Sequence, residues 1–552
     1  MPSVRLRLPV EPRHCQLVGL VGSAALAAGG ASAGALPVRE VLDPGSGRAA
    51  LGLVGVYFGL VLLIAAWWML GRAVRGTRPP SPRTLLLTLA LWAAPLVVAP
   101  PLFSRDVYSY LAQGAMVDAQ LDVYAYGPSR LGGPLTAEVA PLWRDTPTPY
   151  GPVFLACASA VAGVTRAQMS TGVFGMRLVA LLGLALMAAA LPRLARHCGA
   201  DPAAALWLGA LNPLVLLHLV AGAHNDAVML GLLGTGLVAA LGGRPVPATV
   251  LVTLAALVKA PAALGLVAVA LIWARSGGTA GVPTSWLRTT PGSARDRGRA
   301  LSGPPLRTLL TRRLLRLLLV LRLLRLAPLR PVRTSRMSPV PTPLRTPRPL
   351  LTLRARFPRL TAGLVVLGVC AATTTATTAF TGTGYGWLAA LDTPVSPGNW
   401  SLTSTLGRMT TTLLKDAGSA LAPLAAPTWH LLGLAATALA TLLAWRRHHA
   451  LRPVYALGLS LTAVALLGPA IRPWYVLWGL FLIAATGPVR SVRRSAAAAS
   501  GVLALAVLPS GFAPDGAQLT QAVSGGLLAV AALWCAHRIA RRSAHRPLGS
   551  TA

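Results

Sequence analysis

Residues 102–152 read LFSRDVYSYLAQGAMVDAQLDVYAYGPSRLGGPLTAEVAPLWRDTPTPYGP, and the fold follows from what surrounds them. The stretch holds Asp106, Asp118, Asp122, Glu138 and Asp145, five of the fourteen acidic residues in the chain, between segments that are almost wholly apolar. Charged side chains are expensive in hydrocarbon, so carboxylates clustered beside bilayer-length apolar runs belong to a loop that faces water. Loops between membrane helices are where such a protein keeps its chemistry. Residues 104–150 are therefore expected to carry the active site.

The flanking composition supports a membrane body. Of 552 residues 54% are hydrophobic and 12% charged, the mean hydropathy is +0.62, and many apolar runs reach the roughly 17–25 residues that span a bilayer. A soluble chain of this length would carry far more surface charge. The net charge of +36 is almost all arginine, since Lys259 and Lys415 are the only lysines. These arginines fall at the ends of apolar runs and in one internal block, as in loops facing anionic headgroups, so nucleic acid is not the expected partner. Cys15, Cys157, Cys198, Cys370 and Cys535 are scattered, with no metal-ligand spacing and no disulfide framework. Neither a metal nor another cofactor is expected, and no GxxxxGK[ST] phosphate loop is present.

Arginine placement orients the chain. A basic start (Arg5, Arg7, Arg13) precedes an apolar run over about 16–36, which fits a first span or a cleaved signal peptide. Spans near 50–71 and 84–103 enclose Arg72, Arg75, Arg78 and Arg83 on the inner side and deliver Asp106 outside. Residues 150–165 are proline-led and short, as expected of a helix in or dipping into the outer interface. A span near 172–192 returns inward. Two spans near 203–221 and 226–242 then form a hairpin whose outer tip runs from His218 to Asp226. Lys259-Ala260-Pro261 break the run 247–274 into half-helices, because proline ends the first.

Residues 275–360 differ from everything else. The stretch 275–359 contains nineteen arginines and one acid, Asp296, with many prolines, and is expected to be a poorly ordered cytoplasmic insertion. A basic helix over 311–326 could lie on the membrane within it, though its arginines project in two directions. The insertion divides an N-terminal membrane half, 1–274, from a C-terminal half, 361–540, and 541–552 form a cytoplasmic tail. The expected architecture is an all-α polytopic membrane protein of about fourteen spans, both termini cytoplasmic, with eleven of the fourteen acids outside.

The candidate site lies on that outer face. Asp106, directly after a span and beside Arg105, Tyr108 and Tyr110, is the candidate general base, since desolvation at an apolar boundary raises a carboxylate's proton affinity. Its other reading is a helix cap or a partner for Arg105. Asp118 and Asp122 lie one turn apart, which suits a substrate clamp or a solvated helix face. His224, Asn225 and Asp226 are candidate sugar ligands, or caps of the helix that begins there. Lys259, Arg408 and Arg472 are candidate phosphate-binding cations, the alternative being snorkelling to headgroups. Trp400, Trp474, Tyr475 and Tyr126 can stack on sugar rings, although aromatic belts are common at interfaces. An outer-face enzyme has no nucleotide sugar to draw on. A lipid phosphate that carries an activated sugar across the membrane is then the expected donor.

The motifs SRDVYSYLAQGAMV…LDVYAYGP, PTPYGPVF, NPLVLLHLVAGAHNDAVMLGL, LAALVKAPAAL, TPVSPGNWSLTSTLG and RPWYVLW together resemble the actinobacterial polyprenol-phosphate-mannose-dependent α-(1→6)-mannosyltransferases, which build the mannan core of lipomannan and lipoarabinomannan. The resemblance covers most of the chain outside 275–359. It implies a GT-C bundle in the plasma membrane with its site on the extracytoplasmic face, a polyprenyl-phosphate mannose donor and a mannan or lipoglycan acceptor amid membrane lipids. It further implies that Asp106 deprotonates the acceptor hydroxyl for an inverting transfer while Lys259 and Arg472 hold the leaving phosphate. The alternatives are a GT-C transferase of another lipid-linked sugar such as arabinofuranose, or a polytopic transporter or lipid flippase. A transporter would place charges at mid-membrane on broken helices, and only Lys259–Pro261 hint at that.

Overall fold

The computed structural model describes residues 11–37, 46–276, 358–392, 401–468, 470–511 and 515–544. They belong to one compact unit formed by Met1–Gly278 and Arg354–Ala552. The arginine-rich helix expected at 311–326, nearly all of 275–360, Trp400 and the tail from residue 545 lie outside the described residues.

The protein is an all-α polytopic membrane protein; the described residues contain no β-strand. Its helices start where capping chemistry allows. Helix α1 (Pro12–Ala33) has proline in its first turn, where the missing N–H costs nothing. Ser46 and Ser81 accept the backbone N–H groups of Ala49 and Thr84 to start α2 (Gly47–Val74) and α3 (Pro82–Val98). Between hydrocarbon-solvated helices no hydrophobic drive remains, so close backbone approach does the packing. Gly29 of α1 shows this: a Cβ there would sit 2.5 Å from the Gly52 carbonyl of α2.

After α3 the chain turns through residues 99–105 into α4 (Asp106–Asp118), the helix of the acidic loop. Helix α5 (Pro152–Thr165) packs on α4 and then on α6 (Met169–His197). At 14 residues α5 is shorter than the roughly 20 a crossing needs, as the sequence suggested. The expected span 203–221 is broken instead of continuous. Helix α7 (Pro202–Gly209) stops before Asn212-Pro213, where proline removes a backbone donor and the Asn212 side chain accepts the Leu214 N–H. A wide π-turn segment, Val215–Ala221, follows, and α8 (Asp226–Leu241) leaves it at 108°. Helices α9 (Pro245–Ala256) and α10 (Leu264–Ser276) flank the Lys259-Ala260-Pro261 break as expected.

The C-terminal half comprises α11 (Pro358–Thr381), α12 (Leu402–Asp416), α13 (Ala425–Arg446), α14 (Pro453–Leu467), α15 (Val476–Ala485), α16 (Arg490–Ala504) and α17 (Gly516–Ala544). By length and composition six described helices can cross a membrane alone, and the bent pair 215–241 makes up to seven; six others are apolar with 10–17 residues. Several of the fourteen expected spans are thus short or broken. The outward faces carry leucine, with Leu364, Leu367, Leu431 and Leu527 more than half exposed, as lipid-facing positions require.

Candidate active site

Two strained approaches converge. Phe103 and Ala223 both hold left-handed backbone, φ 65° and 53°, which costs a non-glycine residue on the order of 1–3 kcal/mol and persists where surrounding structure enforces it. Phe103 is pinned by its N–H to the Pro509 carbonyl (2.8 Å), three residues before Asp106. Ala223 turns the chain out of the π segment into His224-Asn225-Asp226, where His224 N–H returns to the His218 carbonyl (3.1 Å). Irregular helix of this kind concentrates at functional sites.

The two approaches bring Asp106 Oδ2 to 3.6 Å from His224 Nδ1, which also lies 3.1 Å from the Tyr110 hydroxyl. The His224 ring stacks on Trp474 at 4.0 Å between centroids, and His218 lies 4.9 Å from the same indole. The Asp106 side chain remains 17% exposed, whereas His224 is fully enclosed, so the carboxylate is the member of the pair that can meet a substrate. Burial pushes the Asp106 carboxyl above its ordinary range; the positive fields of Arg472 and Lys259 and the bond to Ser104 pull it back in part, and Asp226 adds to the rise. A carboxylate so placed is a stronger base than one in water.

Beside it lies a buried ion pair. Lys259 Nζ donates to both Asp226 oxygens at 2.9 Å, and the Trp478 indole N–H donates to the same carboxylate. Tyr475 and Trp478, stacked at 4.2 Å, present their faces to the ammonium at 4.6 and 5.3 Å. Gly151 lets the Tyr150-Gly151-Pro152 segment press against this break, since a Cβ would meet the Leu257 carbonyl at 2.3 Å. Lys259 is therefore largely neutralised by Asp226. Arg472, half-buried, has no acidic partner within 4 Å among the described residues and supplies the uncompensated positive charge. His224 Nε2, both polar atoms of Asn225 and Trp474 Nε1 are buried with no partner among the described residues. Buried polar atoms left so are costly unless a ligand or water meets them.

The remaining sequence candidates separate from this cluster. Arg105 is buried and ties the loop together, bonding the Glu138 carboxylate (2.7 Å) and carbonyl and the Leu36 carbonyl, while Tyr108 hydroxyl donates to Ala35. Glu138, not Asp106, is the partner of Arg105. Asp118 is exposed at the far end of α4, roughly 18 Å along the helix from Asp106. Asp122 accepts the N–H groups of Tyr124 and Ala125, a turn-forming role. Arg408 lies on α12, which packs on α13 and α14, and bonds Thr405. Tyr126 is half exposed, with Arg130 over its ring.

Sequence reading missed Arg177. Buried in α6, it donates to the carbonyls of Val97 and Ala99 at the end of α3 and of Ala221 at the end of the π segment (2.7, 2.6 and 3.0 Å). It thus joins both approaches to the site, and the carbonyl ends of helices suit a cation. The signal was present: a lone arginine within an apolar run deserves a functional reading. His218, Tyr110 and Trp478 also line the cluster, but pattern alone does not separate them from core aromatics.

A family model described as "Alpha-(1->6)-mannopyranosyltransferase, N-terminal domain" matches residues 16–275, and one described as "MptB C-terminal domain" matches 404–535. An alpha-(1->6)-mannopyranosyltransferase of Mycobacterium tuberculosis is 33% identical over 493 residues, 85% of this chain and 78% of that protein. A probable alpha-(1->6)-mannopyranosyltransferase of Mycolicibacterium smegmatis is 41% identical over 309 residues, 48% of this chain. Alpha-(1->6)-mannopyranosyltransferase A of M. tuberculosis is 39% identical over 266 residues, 47% of this chain. The chain spans about half the length of these last two relatives, 55% and 51%. No solved structure matches the chain.

Proposed function

The chain belongs to the alpha-(1->6)-mannopyranosyltransferase family, and from that premise we propose that it transfers mannose from polyprenyl-phosphate mannose to a growing α-(1→6)-mannan, a lipomannan or lipoarabinomannan precursor. The reaction takes place on the extracytoplasmic face of the plasma membrane, the side to which the loop 104–150 emerges when the arginine-bearing ends lie inside. The observation that carries the reading is the partly exposed Asp106 carboxylate, held against His224 within an otherwise enclosed aromatic site.

Asp106 accepts the proton of the acceptor hydroxyl as that oxygen attacks the anomeric carbon. The bond to the lipid phosphate breaks on the opposite face, so the configuration inverts. Arg472 meets the leaving phosphate, because Lys259 is already engaged by Asp226 and acts chiefly by fixing that carboxylate. His224 and Tyr110 orient Asp106, and the unpartnered atoms of Asn225 and Trp474 are the hydrogen-bonding groups left for sugar hydroxyls. Trp474 and Tyr475 form apolar walls beside the sugar, one face of each being already taken by the rings of His224 and Trp478.

The test is transfer of labelled mannose from polyprenyl-phosphate mannose to a short α-(1→6)-mannoside, in membranes bearing the wild type, Asp106→Asn or Asp106→Ala. Loss of a general base lowers the rate by about 10²–10⁴-fold. Full activity of both variants would remove Asp106 from the mechanism. Inactive wild type with the protein intact would redirect the reading to another lipid-linked sugar.

A further inference from the structure

A second charged site lies at the opposite end of the fold. A cavity of about 560 Å³ is lined by Trp68, Arg75, Arg490, Arg493, Arg494 and Ala497. Arg75 closes α2, the three other arginines open α16, and no carboxylate is among the lining residues. Helix α16 fixes the distance to Asp106. Just past its C-terminal end, Val507 and Pro509 accept the Tyr57 hydroxyl and the Phe103 N–H beside the acidic loop. Along its 15 residues Arg490, Arg493 and Arg494 lie roughly 21, 16 and 15 Å from that end. A sugar phosphate bound at Asp106 does not extend that far.

The cluster is built on a rigid aromatic base. Trp67 and Trp207 stack at 5.1 Å, and each indole N–H donates to the other's carbonyl at 2.9 Å. The Arg75 guanidinium lies 5.0 Å over the Trp207 ring. Asn212 bonds Ser500 at 2.8 Å and holds α16 against the broken segment. The arginines are thus brought together by packing in spite of their repulsion. Burial first, and then the fields of Arg493, Arg494 and Arg72, push the Arg75 guanidinium below its ordinary value. The Arg493 Nε donor is buried with no partner among the described residues. Arg75, Arg490 and Arg494 remain exposed and Arg493 half-buried, and since guanidinium does not lose its proton, an anion in the cavity offsets the repulsion that solvent leaves.

We propose that Arg75, Arg490, Arg493 and Arg494 form a binding site for a polyanionic phosphate group carrying at least two negative charges. Four forked donors around one cavity suit phosphate oxygens in bidentate pairs, and Trp68 at the rim suits the level of lipid headgroups. Basic pockets between membrane helices take such headgroups. A soluble diphosphate offers the same chemistry.

Native mass spectrometry of the purified full chain tests this, with cardiolipin, phosphatidylcholine and inorganic pyrophosphate as probes. The expected result is retention of cardiolipin about tenfold above phosphatidylcholine, weakening with added salt and reduced about tenfold in R493Q/R494Q. R490Q removes one cation at an exposed position, so it should fold normally and give a smaller loss than the double variant, which removes two. Pyrophosphate that binds and displaces cardiolipin supports a soluble ligand for the same site; pyrophosphate that does neither supports the headgroup. Equal cardiolipin retention by wild type and both variants, or no preference over phosphatidylcholine, overturns the site.

Discussion

The N-terminal half, residues 11–276, and the C-terminal half, residues 358–544, are made of comparably apolar helices that are used differently. In α1, α2 and α6 the most apolar stretch is 39, 56 and 50% buried inside the protein, whereas in α11, α13 and α17 it is 17, 11 and 17%. The N-terminal half builds a packed core around Asp106, His224 and Asp226. Much of the C-terminal half presents leucine to lipid and reaches the site mainly through the turn that carries Arg472, Trp474, Tyr475 and Trp478. An apolar segment therefore says that a helix can enter a bilayer, but not whether it faces lipid or protein. Buried charge marks the difference: Arg177 and the Asp226–Lys259 pair lie in the N-terminal half, as do the left-handed Phe103 and Ala223 at the site, whereas the C-terminal half has left-handed Arg452.

The comparison breaks first if the buried pair is dispensable. Asp226→Ala leaves Lys259 enclosed without its carboxylate, and orphaning one member of such a pair costs about 3–5 kcal/mol. Against a total stability on the order of 5–15 kcal/mol, most of the protein should fail to accumulate or should melt early in detergent. The double variant D226N/K259Q removes both charges and should recover much of the loss. Equal melting of the single and double variants would mean that the pair does not hold the N-terminal core.

Asp106→Asn separates chemistry from folding. Its folded pKa is raised, so the native state binds the proton more tightly than the unfolded chain. Stability is then fully present below the unfolded carboxyl value, about 3.9, and falls as pH rises through the folded value. At neutral pH the ionised group is a net cost. The asparagine variant should melt at least as high as the wild type while losing transfer, and an early-melting variant would contradict the raised pKa.

How far these features were legible follows from their physics. Apolar length and proline position disclosed the membrane body, the loop at 104–150 and the half-helices at Lys259, because each rests on local composition. Asp106 and His224-Asn225-Asp226, which the fold brings into one cluster, were legible as polar groups placed where such groups are costly. The partners were not. That Arg105 belongs to Glu138, that Asp226 takes Lys259 and Trp478, and that Asp122 closes a turn depend on residues far apart or on backbone geometry. The break after α7 was written in Asn212-Pro213, yet the apolar run around it reads as a continuous span.

Arg177 sharpens the contrast. Arg177→Lys keeps the charge but loses the fork that reaches three carbonyls, and charge-assisted bonds are worth about 1.5–3 kcal/mol each. With the bend less firmly set, kcat should fall about tenfold while KM for the donor changes little. Arg472→Gln tests the C-terminal contribution from the other side. It removes a cation that lowers the Asp106 pKa, so the acid limb of the rate profile should move to higher pH, and the donor KM should rise. Arg472→Lys should restore part of both. An unmoved limb would mean that the turn does not act on the base.

The smallest effect belongs to Asp118→Asn, which asks whether acidity of the loop matters apart from the placed carboxylate. Asp118 shares the loop and α4 with Asp106, but it is exposed at the helix's other end. A clamp role would show as a clear rise in acceptor KM. A solvated surface position predicts a stability change within about 0.5 kcal/mol and transfer close to wild type. If Asp118→Asn instead rivals Asp106→Asn in transfer, the acceptor extends along the whole of α4, and the site is larger than the cluster at Asp106, His224 and Arg472.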